Sequence, residues 1–332
     1  VVRVMREDDN MTVIPWTNAD HFTCNEKFQG EFEVTLEIPA GGPYRIDTSL
    51  ETKSTVPDLT WLYRGDCVLH LGVGNLFIIA GQSNSAGYSR DFCIDPPSMD
   101  VHLYRNRSKW DIASHPMNES TFAGSLANEE MGVPGVSPYL AFGKTYGKMT
   151  GMPVGLIQTS LGGSPMERWN PKDGDLYLNM VDKIHQTGGR YAGVLWYQGC
   201  SDTNPGPAEK YLEHFREYVE ATRKELGYEI PFFTMQLNRQ INGINDECWG
   251  MVRDAQARAA KEIPGVSVLT TSNLSLCDGI HNTAQANVAL GEKLAKQCGH
   301  VLNGKEEYQP PELVKVERAD EAERKSFQLE GS

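Results

Sequence analysis

The hydrophobic pattern changes character once along the chain. Up to about residue 74 it is strand-like. Phe32 to Ile38 alternates with period two, a Pro-Ala-Gly-Gly-Pro turn follows, and Tyr44 to Leu50 and Asp66 to Leu71 read as further strands, with no amphipathic helical period between them. From Leu76 short apolar runs alternate with longer helical patterns, as successive βαβ units do. Strands are predicted at Leu76–Ala80, Val154–Gln158, Gly193–Trp196, Phe232–Gln236 and Val266–Thr270. Helices are predicted at Tyr139–Lys148, Leu176–Gln186, Ala208–Leu226, Gly250–Glu262 and Thr283–Gln297. In the fourth of these, Val252, Ala255 and Ala259 share one face, while Arg253, Asp254 and Lys261 point away from it.

The fold class that follows is α/β: a three-layer α/β/α sandwich around a mostly parallel sheet, with a β-rich flanking domain. The expected divisions are 1–74 for the flank, 75–303 for the α/β domain and 304–332 for a tail. Two readings of the tail stand side by side: a frayed, charged terminus, or strands at Leu313–Val316 and Ser326–Leu329 that return to the flank. A parallel sheet of this kind takes its ligand at the carboxyl ends of the strands, so the residues that leave those ends are the ones to examine.

Composition narrows the partners. With 332 residues the chain can bury a large core, and 39% hydrophobic with 23% charged residues is an ordinary globular balance. Lys and Arg number 31 against 44 Asp and Glu, a net charge of −13, which opposes nucleic acid and anionic membranes as partners. Apolar runs fall far short of the ~18 to 20 residues that a membrane helix needs. The chain opens Val1-Val-Arg-Val4 without an initiator Met or a charged-then-apolar leader, as a processed product or a fragment would. Seven cysteines are scattered and never spaced C-x-x-C, which leans towards free thiols and a reducing compartment. Cytoplasm is therefore favoured over secretion, with one isolated disulfide left open.

Four strand exits carry candidate chemistry. Leu76-Phe-Ile-Ile-Ala80 runs into Gly81-Gln-Ser-Asn84, delivering Ser83 to the mouth of the sheet between the amides Gln82 and Asn84. The α/β-hydrolase elbow G-x-S-x-G fails here, because Ser85 stands where its last glycine belongs. A serine needs a base within reach, and of eight histidines only His281 follows a predicted strand with an acid, Asp278, just before it. The strand Val154–Gln158 ends in Gly162 and Gly163, whose backbone N–H groups suit an oxyanion, and Gln198 at the end of the next strand offers an amide donor to the same oxygen. Taken singly, each segment also reads as a turn or a helix cap.

Together these blocks resemble the SGNH hydrolase superfamily, and within it the sialate O-acetylesterase-like (SASA) carbohydrate esterases. Ala80-Gly-Gln-Ser-Asn84 is similar to the nucleophile block, Leu161-Gly-Gly-Ser-Pro165 with Trp169 to the glycine block, Trp196-Tyr-Gln-Gly199 to the third block, and Asp278-Gly-Ile-His281 to the acid and base block. The resemblance covers about Leu76 to Cys298 and implies an SGNH, flavodoxin-like core. It implies a carbohydrate O-acetylesterase that works through Ser83, His281 and Asp278 without metal or cofactor, on an acetylated carbohydrate substrate. The oxyanion hole would comprise Gly163 or Gly162, the Ser83 N–H and Gln198. Gln82, Asn84, Arg168 and Trp169 would bind substrate, with Arg168 the cation for an acidic sugar.

The chain departs from the family where Glu often follows the third block, since Cys200 stands there; it reads as a packed thiol rather than a nucleophile. Trp196 and Tyr197 read as core. The alternatives are an esterase for acetylated xylan or mannan and, from another class, a carbohydrate-binding protein without activity. Asp173 and Asp175 make a poor calcium cage, and Asp175 fits an N-cap better.

Overall fold

The computed structural model describes residues 1–303 apart from 28, 54–59, 121–125, 242 and 244. Its amino-terminal part is antiparallel. β1 (Val2–Arg6), β2 (Thr12–Thr17), β5 (Gly41–Lys53) and β6 (Thr60–Val73) form a sheet in the order β2-β1-β5-β6, and β3 (His21–Cys24) pairs with β4 (Gly30–Glu33) as a separate hairpin. The strand expected over Phe32–Ile38 is corrected: β4 ends at Glu33. Val34, Leu36 and Ile38 keep an alternating, half-buried face. However, among the described residues the only partner of β4 is β3, whose first residue His21 already lies opposite Glu33, so the ladder has no described strand to continue on. The expected strands at Leu313–Val316 and Ser326–Leu329 lie outside the described residues.

The second sheet begins two residues after the first ends. It contains β7 (Asn75–Gly81), β8 (Val101–Tyr104), β9 (Trp110–Ile112), β10 (Val154–Gln158), β11 (Tyr191–Tyr197), β12 (Phe232–Met235) and β13 (Val266–Leu269), in the order β13-β12-β11-β7-β10-β8-β9. Every pair is parallel except β8 with β9. Phe77 to Ala80 have no solvent exposure, as a strand covered on both faces requires. Between the strands run α1 (Ser83–Ala86), α2 (Tyr139–Thr150), α3 (Asp175–Thr187), α4 (Pro207–Leu226), α5 (Asp246–Glu262) and α6 (Ala284–Leu302). The predicted α/β elements thus fall within a few residues of those observed, whereas β8 and β9 were not anticipated.

Periodicity explains how the helices dock. On α4, Tyr211, Phe215, Tyr218, Val219 and Thr222 are buried at spacings that keep them on one face. There Tyr218 meets Trp196 of β11 at 4.7 Å between ring centroids, and Trp169 meets the same indole edge-on at 5.1 Å. The amino-terminal sheet attaches at the other end of the strands, where His102 near the start of β8 bonds the His70 carbonyl of β6 at 2.6 Å. The carboxyl ends of β7, β10 and β11 lie away from that attachment, and the residues that leave them, among them Ser83, Ser160 and Gln198, are buried. The chain crosses from one side of β7 to the other there, as ligand-binding crevices of such sheets require.

Candidate active site

The nucleophile block is shaped by backbone contact. Gly81 has φ +130°, and a Cβ there would come 2.3 Å from the Tyr197 carbonyl oxygen, so only glycine lets β7 pass β11 at this point. The next turn places Ser83 first in α1. Its Oγ lies 2.9 Å from His281 Nε2, and His281 Nδ1 lies 2.6 Å from Asp278 Oδ2. Asp278 Oδ1 also accepts the N–H groups of Ile280 at 2.9 Å and His281 at 2.7 Å, winding the loop around its own carboxylate. Burial would raise the Asp278 carboxyl, but these N–H donors and the imidazole outweigh it and hold it below the usual carboxylate range. The Asp278 side chain stays 51% exposed, against 17% for His281.

Gln82 and Asn84 were expected to bind substrate; both are buried and engaged with the protein. Asn84 brackets the histidine, donating to Ile280 O at 3.2 Å and accepting from the Asn282 N–H at 3.0 Å. Gln82 Oε1 accepts from Gly199 N at 2.8 Å and Ser201 N at 3.3 Å, tying the Ser83 turn to the exit of β11. These amides hold the loops that carry Ser83 and His281, and one Asn84 amide hydrogen is spent on Ile280.

The oxyanion assignments divide. Leu161 N–H donates to Gly81 O at 3.0 Å, which draws the glycine loop beside the Ser83 turn. Gly163 has φ +69° and open space around it, and its N–H donates to no described residue. It remains available as an oxyanion donor alongside the Ser83 N–H, one of the orphan donors at a helix start. Gly162 is corrected, because its N–H donates to Glu130 Oε1 at 2.9 Å. Gln198 is corrected as well. Its side chain is fully buried, and both amide hydrogens are taken, by Ser164 O at 3.0 Å and Asp202 Oδ2 at 2.5 Å. Asp202 in turn accepts from the Met166 N–H at 3.1 Å, and burial raises its carboxyl despite these donors.

Two further substrate assignments are corrected. Arg168 grips Asp175 bidentately, at 2.9 and 2.5 Å, and also donates to Ala127 O, so it is not a free cation. Asp175 itself is the first residue of α3 rather than its cap, which is Gly174. Trp169 has no exposure and donates its indole N–H to Ser164 Oγ at 3.3 Å, which makes it core. Trp196 and Tyr197 are core too. Burial pushes the Cys200 thiol up to about 12, consistent with an unreactive, packed sulfur. All seven cysteines are free.

The structure adds residues that the motifs did not mark. The Tyr88 ring stacks on His281 at 5.4 Å between centroids, tilted by 29°, and its hydroxyl donates to Glu130 Oε2 at 2.6 Å. Arg90 is exposed, and its guanidinium lies 5.4 Å from the Tyr88 ring centroid with no ion pair to a described residue. Beside the ring that stacks on His281, Arg90 is a cation without an ion pair among the described residues, as Arg168 was expected to be for an acidic sugar. Tyr88 and Arg90 follow Ser83 closely but belong to no periodic pattern, and Glu130 lies in an irregular stretch, so spacing gave no signal for any of them. Among the described residues no group of three or more His, Cys, Asp or Glu is placed to hold a metal ion, and no helix is long and apolar enough to cross a membrane. The arrangement can activate a hydroxyl nucleophile and supply backbone donors to a developing oxyanion.

Residues 73–300 match the family model for carbohydrate esterase, sialic acid-specific acetylesterase. A probable carbohydrate esterase of Arabidopsis thaliana is 26% identical over 245 residues, covering 67% of this chain and 88% of that protein. An X-ray structure of an Arabidopsis thaliana protein superposes with a TM-score of 0.59 at 24% identity, over 68% of this chain and 97% of its own. The crystal structure of a carbohydrate acetylesterase from Xanthomonas citri gives a TM-score of 0.57 at 20% identity, over 92% of this chain and 69% of its own. That last likeness reaches beyond the α/β sheet to the amino-terminal strands.

Proposed function

Because this chain belongs to the SASA family of carbohydrate esterases, whose model matches residues 73–300, we propose that it removes acetyl groups from an acetylated sugar by attack of Ser83. The observation that carries this reading is the continuous chain from Asp278 through His281 to Ser83, at 2.6 and 2.9 Å. Ser83 Oγ attacks the acetyl carbonyl carbon while His281 Nε2 takes its proton, and Asp278 holds the tautomer and stabilises the imidazolium. The N–H groups of Gly163 and Ser83 receive the tetrahedral oxyanion. Collapse breaks the ester bond, His281 returns the proton to the departing sugar oxygen, and the acetyl group stays on Ser83. A water, deprotonated by the same imidazole, then attacks the acetyl carbonyl carbon; the bond to Ser83 Oγ breaks, His281 returns the proton to that oxygen, and acetate leaves.

No step needs a metal or cofactor, so EDTA should leave the activity intact. The sugar favoured is acidic, a sialate-like substrate, on the strength of the family description and the free Arg90 beside Tyr88. The test is acetate release from 9-O-acetyl sialic acid, acetylated xylan, acetylated mannan and 4-nitrophenyl acetate by the wild type and by Ser83→Ala. Loss of a triad serine should lower kcat by about 10⁵ to 10⁶ on every ester that is cleaved. Undiminished turnover in Ser83→Ala would refute the mechanism, and cleavage of neutral polysaccharide alone would move the substrate to xylan or mannan.

A further inference from the structure

Resting on the Ser83 reading above, we infer that Glu130 is a positioning residue of this esterase: one buried carboxylate that holds both the glycine loop leading to Gly163 and the Tyr88 ring lying on His281. Glu130 is only 3% exposed and forms no ion pair with a described residue. Every contact of its carboxylate is a donor. Oε1 accepts from Gly162 N at 2.9 Å and Asn118 Nδ2 at 2.5 Å, and Oε2 accepts from the Tyr88 hydroxyl at 2.6 Å. A site made only of donors calls for an acceptor-only group, and short charge-assisted bonds offset the cost of burying it.

The two arms of this clamp end on different parts of the reaction. Gly163 has no Cβ contact and no acceptor for its N–H, so nothing of its own fixes the direction of that N–H. Its orientation is inherited from its two neighbours: Ser164, whose carbonyl accepts from Gln198, and Gly162, which Glu130 holds on the side that also meets Tyr88. On the other arm, a tyrosine ring tethered at its hydroxyl limits how far the stacked imidazole can turn away from Ser83. The arms also meet directly, since a Cβ on Gly162 would come 2.5 Å from the Tyr88 hydroxyl oxygen and 2.9 Å from Glu130 Oε2. The loop, the ring and the carboxylate are thus packed as one unit.

A polar network stiffens it from behind. Asn118 also donates to Ser160 O at 3.0 Å and accepts from Asn106 Nδ2. Asn106 Oδ1 accepts from Asn128 at 2.6 Å and from the buried Lys183 ammonium at 2.9 Å. Lys183 also donates to Gln158 O at 2.6 Å, at the end of β10, so the network is anchored to the central sheet. Burial lowers the Lys183 amine to about 7. Buried networks of this kind act as a unit only while every member is satisfied.

The experiment compares Glu130→Ala, Glu130→Gln and Tyr88→Phe with the wild type, each shown folded by circular dichroism. One readout is the NMR shift of the His281 ring protons, which Tyr88 moves upfield by its ring current; Tyr88→Ala supplies the value without it. The other is kcat and KM on 4-nitrophenyl acetate. Glu130→Ala should move the His281 resonance most of the way to the Tyr88→Ala value and lower kcat about 10- to 100-fold with KM changed less than about threefold. Glu130→Gln, which keeps an acceptor for Gly162 and can donate to the Tyr88 oxygen, should restore most of both. Should Glu130→Ala fail to fold, Tyr88→Phe carries the test: its His281 resonance should shift part of the way, with kcat down about two- to fivefold. An unshifted His281 resonance in every folded variant, or equal kcat losses in the Ala and Gln variants, would overturn the clamp. A wild type without Ser83-dependent turnover refutes the esterase reading instead, and the resonance still decides the clamp.

Discussion

Two margins of the site differ in what they leave available. On the histidine margin the donors run one way: the Ser83 hydroxyl faces His281 Nε2 at 2.9 Å, and His281 Nδ1–H faces the Asp278 carboxylate at 2.6 Å. On the other margin, Asp202, Glu130 and Gly162 are matched with protein partners, and Gln198 has both amide hydrogens taken while its Oε1 is buried without a described partner, so none of them directs a donor outwards. The first margin is built to exchange a proton, the second to keep a shape. A polar residue at a strand end is therefore identified as reactive by a hydrogen-bond capacity that the fold leaves open, and neither its type nor its position is sufficient.

The largest effect that tests this division, short of removing Ser83, falls on Asp278. Asp278→Asn keeps the size of the side chain but lets the amide favour the wrong imidazole tautomer, and kcat should fall by about 10² to 10⁴ with little change in KM. Because the Asp278 carboxyl is held below its usual range, the wild-type carboxylate is charged throughout neutral and mildly acid solution. The loss in Asp278→Asn should accordingly show no inflection from titration of Asp278 itself between pH 6 and pH 8. Retention of activity within threefold would mean that the Asn84 bracket alone orients His281, and the two margins would no longer differ in kind.

Gln198→Ala tests the other margin. Removing the amide takes one of Asp202's donors, leaving the Met166 N–H, and removes the Gln198 donor from the Ser164 carbonyl inside the core, which should lower the unfolding free energy by about 1 to 3 kcal/mol. Per folded molecule, kcat should stay within about tenfold of the wild type. Denaturant unfolding and initial rates on the same preparation measure both. A fall of 10² to 10³ in kcat with undiminished stability is the signature of an oxyanion donor, and it would return Gln198 to the role the motif implies.

The sequence made the acid–base pair legible because Asp278 and His281 are three residues apart, and their contact needs only a local loop. Ser83 was legible for a related reason: a continuous apolar run into Gly81 announces a buried strand and the turn that ends it. Gln198 was located but misread. The fate of its two N–H groups depends on Ser164, far off in the chain, and on Asp202, whose burial no period reveals. Arg168 failed in the same way, through a partner seven residues on that spacing alone did not single out. Glu130 and Tyr88 owe their importance to a three-dimensional junction between segments that carry no pattern. In the fold, apolar runs and helical faces placed the α/β elements well. The flank was less legible because its hairpin strands β3 and β4 are exposed on both faces, which removes the burial contrast that alternation normally records.

The smallest effect concerns the rim, where Arg90 has the open valence that Arg168 lacks. An exposed guanidinium meeting a carboxylate is worth about 1 kcal/mol or less in water, so Arg90→Ala should raise KM for 9-O-acetyl sialic acid by up to about fivefold and leave kcat unchanged. The neutral ester 4-nitrophenyl acetate should show no change. Arg168→Ala should do the reverse of what the motif implies: it releases Asp175 and the Ala127 carbonyl, so it should reduce stability and spare KM for the acidic sugar. Added salt supplies an independent check, since 0.5 M NaCl should raise the wild-type KM for the acidic sugar and have little further effect on Arg90→Ala. If KM follows Arg168 and not Arg90, an ion pair closed in the free enzyme opens to substrate, and hydrogen-bond capacity in the resting structure would be a poor guide to recognition at this rim.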